Sequence, residues 1–194
     1  MKQKIASNFI NMVGVLFVVT LVSATALSGV YNITKDVIAE AGDSKQLESL
    51  KSVIITDYDN SPTLEKEVLE NSYIELYPVK KENKLTSMVV KSVSKKGYSG
   101  DVAVMTSFLP DGTIGKVTVV SQTETPGLGT RITEPAFLSQ FENQRSNSFK
   151  IKIKKEGGDV DAITGATVSS NAVVDAVLKA RQAFFLKVEG GGYE

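Results

Sequence analysis

Apolar and polar positions fall along the chain in three regimes. Residues 9–30 form a 22-residue run without a charge, softened by Asn11, Thr20, Ser23, Thr25 and Ser28. As a helix rising about 1.5 Å per residue, a run of that length crosses a hydrocarbon layer of roughly 30 Å. From residue 35 to about residue 60 the pattern turns polar, with Leu47, Leu50 and positions 53–55 as its apolar points, and predicts partial helix. Ser61-Pro62-Thr63 reads as a helix start, with a short helix over 64–71.

Period-two patterns take over after that. A strand is predicted over 73–79, with Ile74, Leu76 and Val79 among polar residues. Another covers 85–93, with Leu85, Val89 and Val93 on one face and Met88 and Val90 on the other. The segment 101–109 alternates Val102, Val104, Thr106 and Phe108, and Pro110-Asp111-Gly112 turns it into a hairpin partner over 114–120. Pro135 sits where a helix begins, ahead of Phe137, Leu138 and Phe141. Residues 149–153 read as one more short strand, broken by Gly157-Gly158. The last long element is a helix over about 168–187, striped by Val173, Ala176, Val177, Ala180 and Phe184. Strands first and helices around them predict an α+β domain: a mainly antiparallel sheet with a long C-terminal helix packed on it. The expected organisation is an N-terminal stretch 1–8, a transmembrane helix 9–30, a polar and partly helical linker or docking region 31–72, a globular domain 73–188 and a flexible tail 189–194.

Lys2 and Lys4 precede the apolar run, and no acid stands among them. That bias favours a cytoplasmic N-terminus, a single pass through the cell membrane and a domain on the outer or periplasmic face. A cleaved signal peptide ending near Ala24-Thr25-Ala26 is the competing reading, and it also exports the domain. Without its first 30 residues the chain loses Lys2 and Lys4 and no acid, leaving 20 basic against 22 acidic residues. A near-neutral domain argues against nucleic-acid binding. The chain has no Cys and no His. It therefore lacks disulfides, cysteine-ligated clusters, the commonest metal ligand and the usual general base. A redox role needs an organic cofactor.

Three stretches carry candidate chemistry. In Asp161-Ala162-Ile163-Thr164-Gly165-Ala166-Thr167-Val168-Ser169-Ser170 a loop becomes the final helix. The first N–H groups of a helix have no intrahelical partner and a partial positive charge, which suits a phosphate. Gly165 and Ala166 keep the approach open, and Thr167, Ser169 and Ser170 add hydroxyls. An ordinary capped helix, with Thr164 or Thr167 as N-cap, explains the same residues. Glu124-Thr125-Pro126-Gly127-Leu128-Gly129 follows a strand as a shaped loop; Pro126-Gly127 favours a type II turn, and Gly129 admits a planar ligand. A plain connection loop is the alternative. Gly97-Tyr98-Ser99-Gly100 places an aromatic between two glycines, either as a ring contact or as a turn.

Gly-Tyr-x-Gly, Glu-Thr-Pro-Gly-Leu-Gly and Thr-Gly-Ala-Thr before a helix, behind an apolar N-terminus, together resemble the FMN-binding domain family. Within it the chain is similar to the G subunits of Rnf-type electron-transport complexes. The C subunits of sodium-translocating NADH:quinone reductases carry similar motifs and are the alternative assignment. The resemblance spans about residue 81 to the final helix. It implies one FMN per chain, joined by a phosphodiester to the last threonine of the motif, Thr167. Thr164 and Asp161 match the motif's first hydroxyl and preceding acid. Its implied neighbours are Gly165, Ala166, Val168, Ser169 and Ser170 on the phosphate side. On the ring side they are Glu124, Thr125, Pro126, Gly127, Leu128, Gly129, Gly97, Tyr98 and Gly100. Glu124 and Thr125 are expected to orient the ring, and Ser169 or Ser170 to assist at the phosphate.

The resemblance also implies partners. These are membrane and peripheral subunits of the complex, among them a second flavinylated subunit and iron–sulfur subunits, and a separate flavin transferase that installs FMN from FAD. The complex would couple ferredoxin:NAD electron transfer to ion translocation. No acid–base constellation is visible, so electron transfer and not turnover by the isolated domain is expected. Two other classes compete. A hydrolase using Thr167 or Ser169 as nucleophile lacks His, Cys and a Ser-x-x-Lys arrangement at this site. An exported, anchored adaptor without cofactor would use 35–71 for docking.

Overall fold

The computed structural model describes residues 9–69, 73–145 and 148–189. The chain divides into two compact units, residues 1–45 and 46–194. The first is helical through its described residues, and its apolar side chains are exposed. The helix it belongs to, α1 (Phe9–Val53), is long and apolar enough to cross a membrane. Thr20, Thr25 and Thr34 turn their hydroxyls back to carbonyls three or four residues earlier, which removes their polar cost in an apolar setting.

The second unit is built on a six-stranded antiparallel meander: β1 (Glu67–Val68), β2 (Glu75–Lys81), β3 (Lys84–Ser94), β4 (Val102–Phe108), β5 (Thr113–Ser121) and β6 (Gln144–Arg145), in that order across the sheet. The β2–β3 hairpin closes through Glu82 and Asn83, both left-handed (φ 50° and 64°), as a two-residue turn demands. The β4–β5 hairpin turns at the predicted Pro110-Asp111-Gly112. There Gly112 N–H donates to the Leu109 carbonyl (2.8 Å), and the Asp111 carboxylate accepts from Thr113 N–H (3.0 Å).

Both faces of the sheet are covered. On one lies α3 (Thr167–Glu189), with Ala172, Val173, Ala176, Val177, Ala180 and Phe184 inward against Met88, Val90, Val104 and Phe108. Phe108 and Phe184 stack with ring centroids 4.9 Å apart. Truncating a ring of this kind to Ala costs about 3–5 kcal/mol. Polar ties fix the register: Ser92 Oγ donates to the Ala176 carbonyl (2.8 Å), and Lys179 Nζ to the Val93 carbonyl (3.1 Å). On the other face Leu50 and Val53, from the last turns of α1, close over Tyr77, Val79, Val89, Ala103, Met105 and Val120.

The compact unit begins at Gln46, because the end of α1 supplies its second core. Four expectations are corrected. No helix forms across 64–69; Leu64 is 87% exposed, so a helix there has no face to bury, and Glu67 and Val68 pair instead with Leu76 and Glu75 as an edge strand. Residues 70–71 of that predicted helix, and 190–194 of the tail, lie outside the described residues. Residues 149–153 alternate buried Phe149, Ile151 and Ile153 with exposed lysines, but they meet no strand; Ile153 makes only an isolated bridge to Val160. Leu85 packs against the α3-side cluster, away from Val89 and Val93. The helix predicted from Pro135 is a single turn, α2 (Pro135–Leu138), which passes into a 3-10 turn (Ser139–Phe141).

Candidate functional site

The three motifs meet at one end of the sheet, around a cavity of about 450 Å³. Tyr98 reaches it from the β3–β4 loop. Glu124, Thr125, Leu128 and Gly129 come from the loop after β5. Gly165, Ala166, Thr167, Val168 and Ser169 come from the start of α3. All ten were singled out from the sequence.

Each wall has a local cause. Ala166 N–H donates to the Ile163 carbonyl (2.9 Å), and Gly165 holds φ +81° at the third position of that turn. A type II turn requires such a φ and disfavours any side chain. Ser170 fastens the turn to the helix: its hydroxyl accepts from Ile163 N–H (3.0 Å) and donates to the Ala166 carbonyl (2.9 Å). Thr167 is the first residue of α3, preceded by Ala166, which has no side-chain oxygen to cap the helix. The N–H groups of Thr167, Val168 and Ser169 therefore have no intrahelical acceptor and face the loop side. Thr167 itself is half-buried, and Val168 beside it is 48% exposed.

The second loop turns as predicted. Leu128 N–H donates to the Thr125 carbonyl (3.2 Å), with Pro126 and then Gly127 (φ +73°) at the corners. Glu124 points inward and is 4% exposed. One of its oxygens accepts from the Ser169 hydroxyl, and the other from Ser99 N–H (3.2 Å). A carboxylate that accepts at both oxygens satisfies the requirement on a buried polar group. The packing around it allows no extra atom. A Cβ on Gly129 would lie 2.8 Å from both Glu124 Cβ and Ser169 Oγ, and one on Gly97 would lie 2.7 Å from Glu124 Oε1.

Six sequence candidates do not line the cavity. Gly97 and Gly100 stand behind it, where their missing side chains admit Glu124 and Thr123. Pro126 and Gly127 form the outer corner of the loop, and Thr164 is exposed in the turn before α3. Ser170 is fully buried and committed to the turn, so it does not reach the cavity as expected. Ser169 does line the cavity, but its hydroxyl is already given to Glu124. Both serine hydroxyls are thus engaged within the protein, Ser169 with Glu124 and Ser170 with the turn. Asp161 lies apart, paired with Lys154 (2.6 Å).

Sequence reasoning missed Ser99, whose backbone joins this clasp from the Gly-Tyr-x-Gly loop. A backbone donor leaves no residue-type signal. It also missed Asp175 on α3, which takes Lys96 Nζ (2.6 Å), Lys179 Nζ (2.9 Å) and Ser94 Oγ (2.7 Å) and so ties the Tyr98 loop to the helix. Burial pushes the Asp175 carboxyl up. The hydrogen bonds from Lys96, Lys179 and Ser94 outweigh it and leave the group at about 2, below its ordinary 3.8.

Residues 97–182 match the FMN-binding domain family, a span that takes in all three cavity walls. The chain is 32% identical to the G subunit of the ion-translocating oxidoreductase complex of Haemophilus influenzae over 183 residues, 89% of this chain and 86% of that one. It is 30% identical to the G subunit of the proton-translocating ferredoxin:NAD(+) oxidoreductase complex of Clostridium ljungdahlii, covering 85% of each. Among solved structures, NqrC of Shewanella oneidensis aligns with 60% of this chain and 61% of its own, at 28% identity and a TM-score of 0.47.

Proposed function

Since this chain belongs to the family of G subunits of ion-translocating oxidoreductase complexes, we propose that it carries one FMN, held by a phosphodiester on Thr167 Oγ1, and relays electrons between the other subunits of such a complex. The observation that carries this reading is the position of Thr167. It is the first residue of α3, on the wall of a cavity built from all three motifs.

The residues present fit such a group. A cavity of about 450 Å³ lies within the roughly 300–1,000 Å³ of small-molecule sites. Beside Thr167, three N–H groups without intrahelical acceptors supply donors for phosphate oxygens, and the helix dipole adds partial positive charge. Tyr98, Leu128 and Val168 present apolar surface at the rim, 73%, 45% and 48% exposed, suited to a planar ring. Bound there, FMN supplies one- and two-electron redox chemistry that no side chain of this chain offers.

The chain's own contribution is position and electrostatics. Thr167 tethers, the start of α3 seats the phosphate, and the Glu124–Ser169–Ser99 clasp holds the three walls in register. Tethering keeps the local concentration of the cofactor high whatever the strength of its other contacts. The linkage balances with FAD as donor. The Thr167 oxygen bonds to the phosphorus on the FMN side, the pyrophosphate bond breaks, AMP leaves and the hydroxyl proton is released. A separate flavin transferase performs this step.

The wider reading follows from the family. α1 anchors the chain in the cell membrane with its N-terminus cytoplasmic and the domain on the outer face. The complex couples electron transfer between ferredoxin and NAD to ion movement, with a second flavinylated subunit and iron–sulfur subunits as partners. The similarity to the Clostridium ljungdahlii protein supports that choice of donor and acceptor.

Intact-protein mass spectrometry, on full-length chain exported in a host that carries the transferase, tests the proposal. The expected result is one FMN-sized increment mapping to the peptide that contains Thr167. An unmodified, colourless chain from that host would refute it.

A further inference from the structure

Among the ten residues that line the cavity, Glu124 is the sole one with a formal charge. No Lys or Arg stands on the wall to balance it. The carboxylate is 4% exposed, and its two oxygens are met by a hydroxyl and a backbone N–H, both neutral. Water screens such a charge poorly, so its field reaches across the cavity far more strongly than a surface carboxylate's would. Burying a carboxylate is costly, and a neutral clasp of the same shape would serve packing as well. Glutamine in that place could still accept from Ser99 N–H.

We infer that Glu124 sets the electrostatics of the cavity: its fixed negative charge opposes the arrival of electrons on a ligand seated there and so lowers that ligand's reduction potential. The inference rests on the FMN reading above and assigns a role to this chain's own residue toward that group. Glu124 is a positioning residue through its clasp and a tuning residue through its charge, and the two parts separate by substitution. Glu124→Gln removes the charge and keeps an acceptor for Ser99. Ser169→Ala keeps the charge and removes the hydroxyl that partly neutralises it.

The experiment uses full-length flavinylated chain in detergent. Three quantities are read: flavin occupancy by intact mass, unfolding temperature, and midpoint potential by spectroelectrochemical titration. Glu124→Gln is expected to retain the flavin mass and to shift the potential to a more positive value. The reduction equilibrium should move about tenfold, roughly 30 mV for a two-electron couple. Ser169→Ala is expected to shift it in the opposite direction. A purely structural clasp would lower the unfolding temperature of both variants and leave the potential where it was.

An unchanged or more negative potential in Glu124→Gln would overturn the inference. Should that variant fail to fold, an unchanged or more positive potential in Ser169→Ala would do so alone. Wild-type chain without a flavin increment on Thr167 refutes the reading beneath it and takes this inference with it. That outcome is told apart by mass before any potential is measured.

Discussion

Lys91 donates its ammonium to the side-chain oxygen of Gln46 at 2.6 Å, joining the middle of β3 to the last turns of α1. Around that bond Gln46 also donates to the Tyr77 hydroxyl (2.8 Å), Tyr77 donates to Glu75, and Lys91 pairs with Glu75 (3.0 Å). The cluster borders the apolar patch of Leu50, Val53 and Val79 and orients the helix end on the sheet. Tyr77→Phe leaves Gln46 and Glu75 short of a partner, and a cost of about 1–2 kcal/mol is expected in denaturant unfolding. Burial first, and then the Glu75 contact, raise the Tyr77 phenol above its ordinary 10.0. A phenol whose folded value is raised stabilises the fold below the unfolded value. The unfolded chain sheds the proton first, so stability falls as pH climbs past 10, and Tyr77→Phe should flatten that alkaline decline.

Thr167→Val keeps the branched shape at the start of α3 and removes the only atom that can be esterified there. The expected outcome is complete loss of the flavin mass with less than about 1 kcal/mol lost in stability, because Thr167 is the first helical residue of α3 and not its N-cap. Circular dichroism melting beside intact mass checks both halves.

Gly129→Ala should harm the site more than its size suggests. The added Cβ would stand 2.8 Å from Glu124 Cβ and from Ser169 Oγ, on two side chains held together by the Ser169 hydroxyl's bond to the Glu124 carboxylate. A destabilisation of about 1–3 kcal/mol is expected from such overpacking. Gly127→Ala, on the outer corner with open space before it, meets only the strain of its positive φ. Comparing flavin occupancy in the two variants tests whether the inner glycine matters for the cavity.

The strands were legible because their alternation is regular and Pro-Asp-Gly marks one hairpin. The three motifs were legible because Pro and Gly punctuate them. What the residue pattern hid was commitment. Nothing in the residue pattern shows that Glu124 is buried, and its inward turn depends on two glycines, Gly97 and Gly129, lying more than 30 positions apart in sequence. Ser169 and Ser170 are adjacent and chemically alike. The helix nonetheless sends one to Glu124 and the other back to Ile163. The contiguous apolar run of Met88, Val89 and Val90 signals a strand buried on both faces. The element that covers the second face, the end of α1, sits among polar residues that read as linker.

Acid should loosen the Tyr98 loop before it unfolds the domain. Asp175, held at about 2 against an ordinary 3.8, contributes stability above pH 4, and this is lost as pH falls through 2. Protonation there releases Lys96 and with it one edge of the cavity wall. Asp175→Asn should cost about 1 kcal/mol at pH 7 and leave a smaller acid slope between pH 4 and 2. Urea midpoints across that range measure it.

Thr106 carries a fully buried hydroxyl without a hydrogen-bond partner among the described residues, on the same face of β4 as Val104 and Phe108. Thr106→Val exchanges an unsatisfied polar atom for a methyl of like volume. The expected gain is about 1 kcal/mol, read as a rise in unfolding temperature with flavin occupancy unchanged.

The order of the sheet has a consequence for biogenesis. Every strand pairs with its neighbour in sequence, so the meander can zip together as the chain emerges, hairpin by hairpin. The cavity cannot form that way, because its third wall belongs to α3, which follows all six strands in the chain. A nascent domain therefore has two of the cavity's walls before it has the cavity. Thr167 meets Tyr98 and Glu124 only once the final helix has docked, so a chain that stalls or is clipped before α3 exposes no assembled cavity to be loaded.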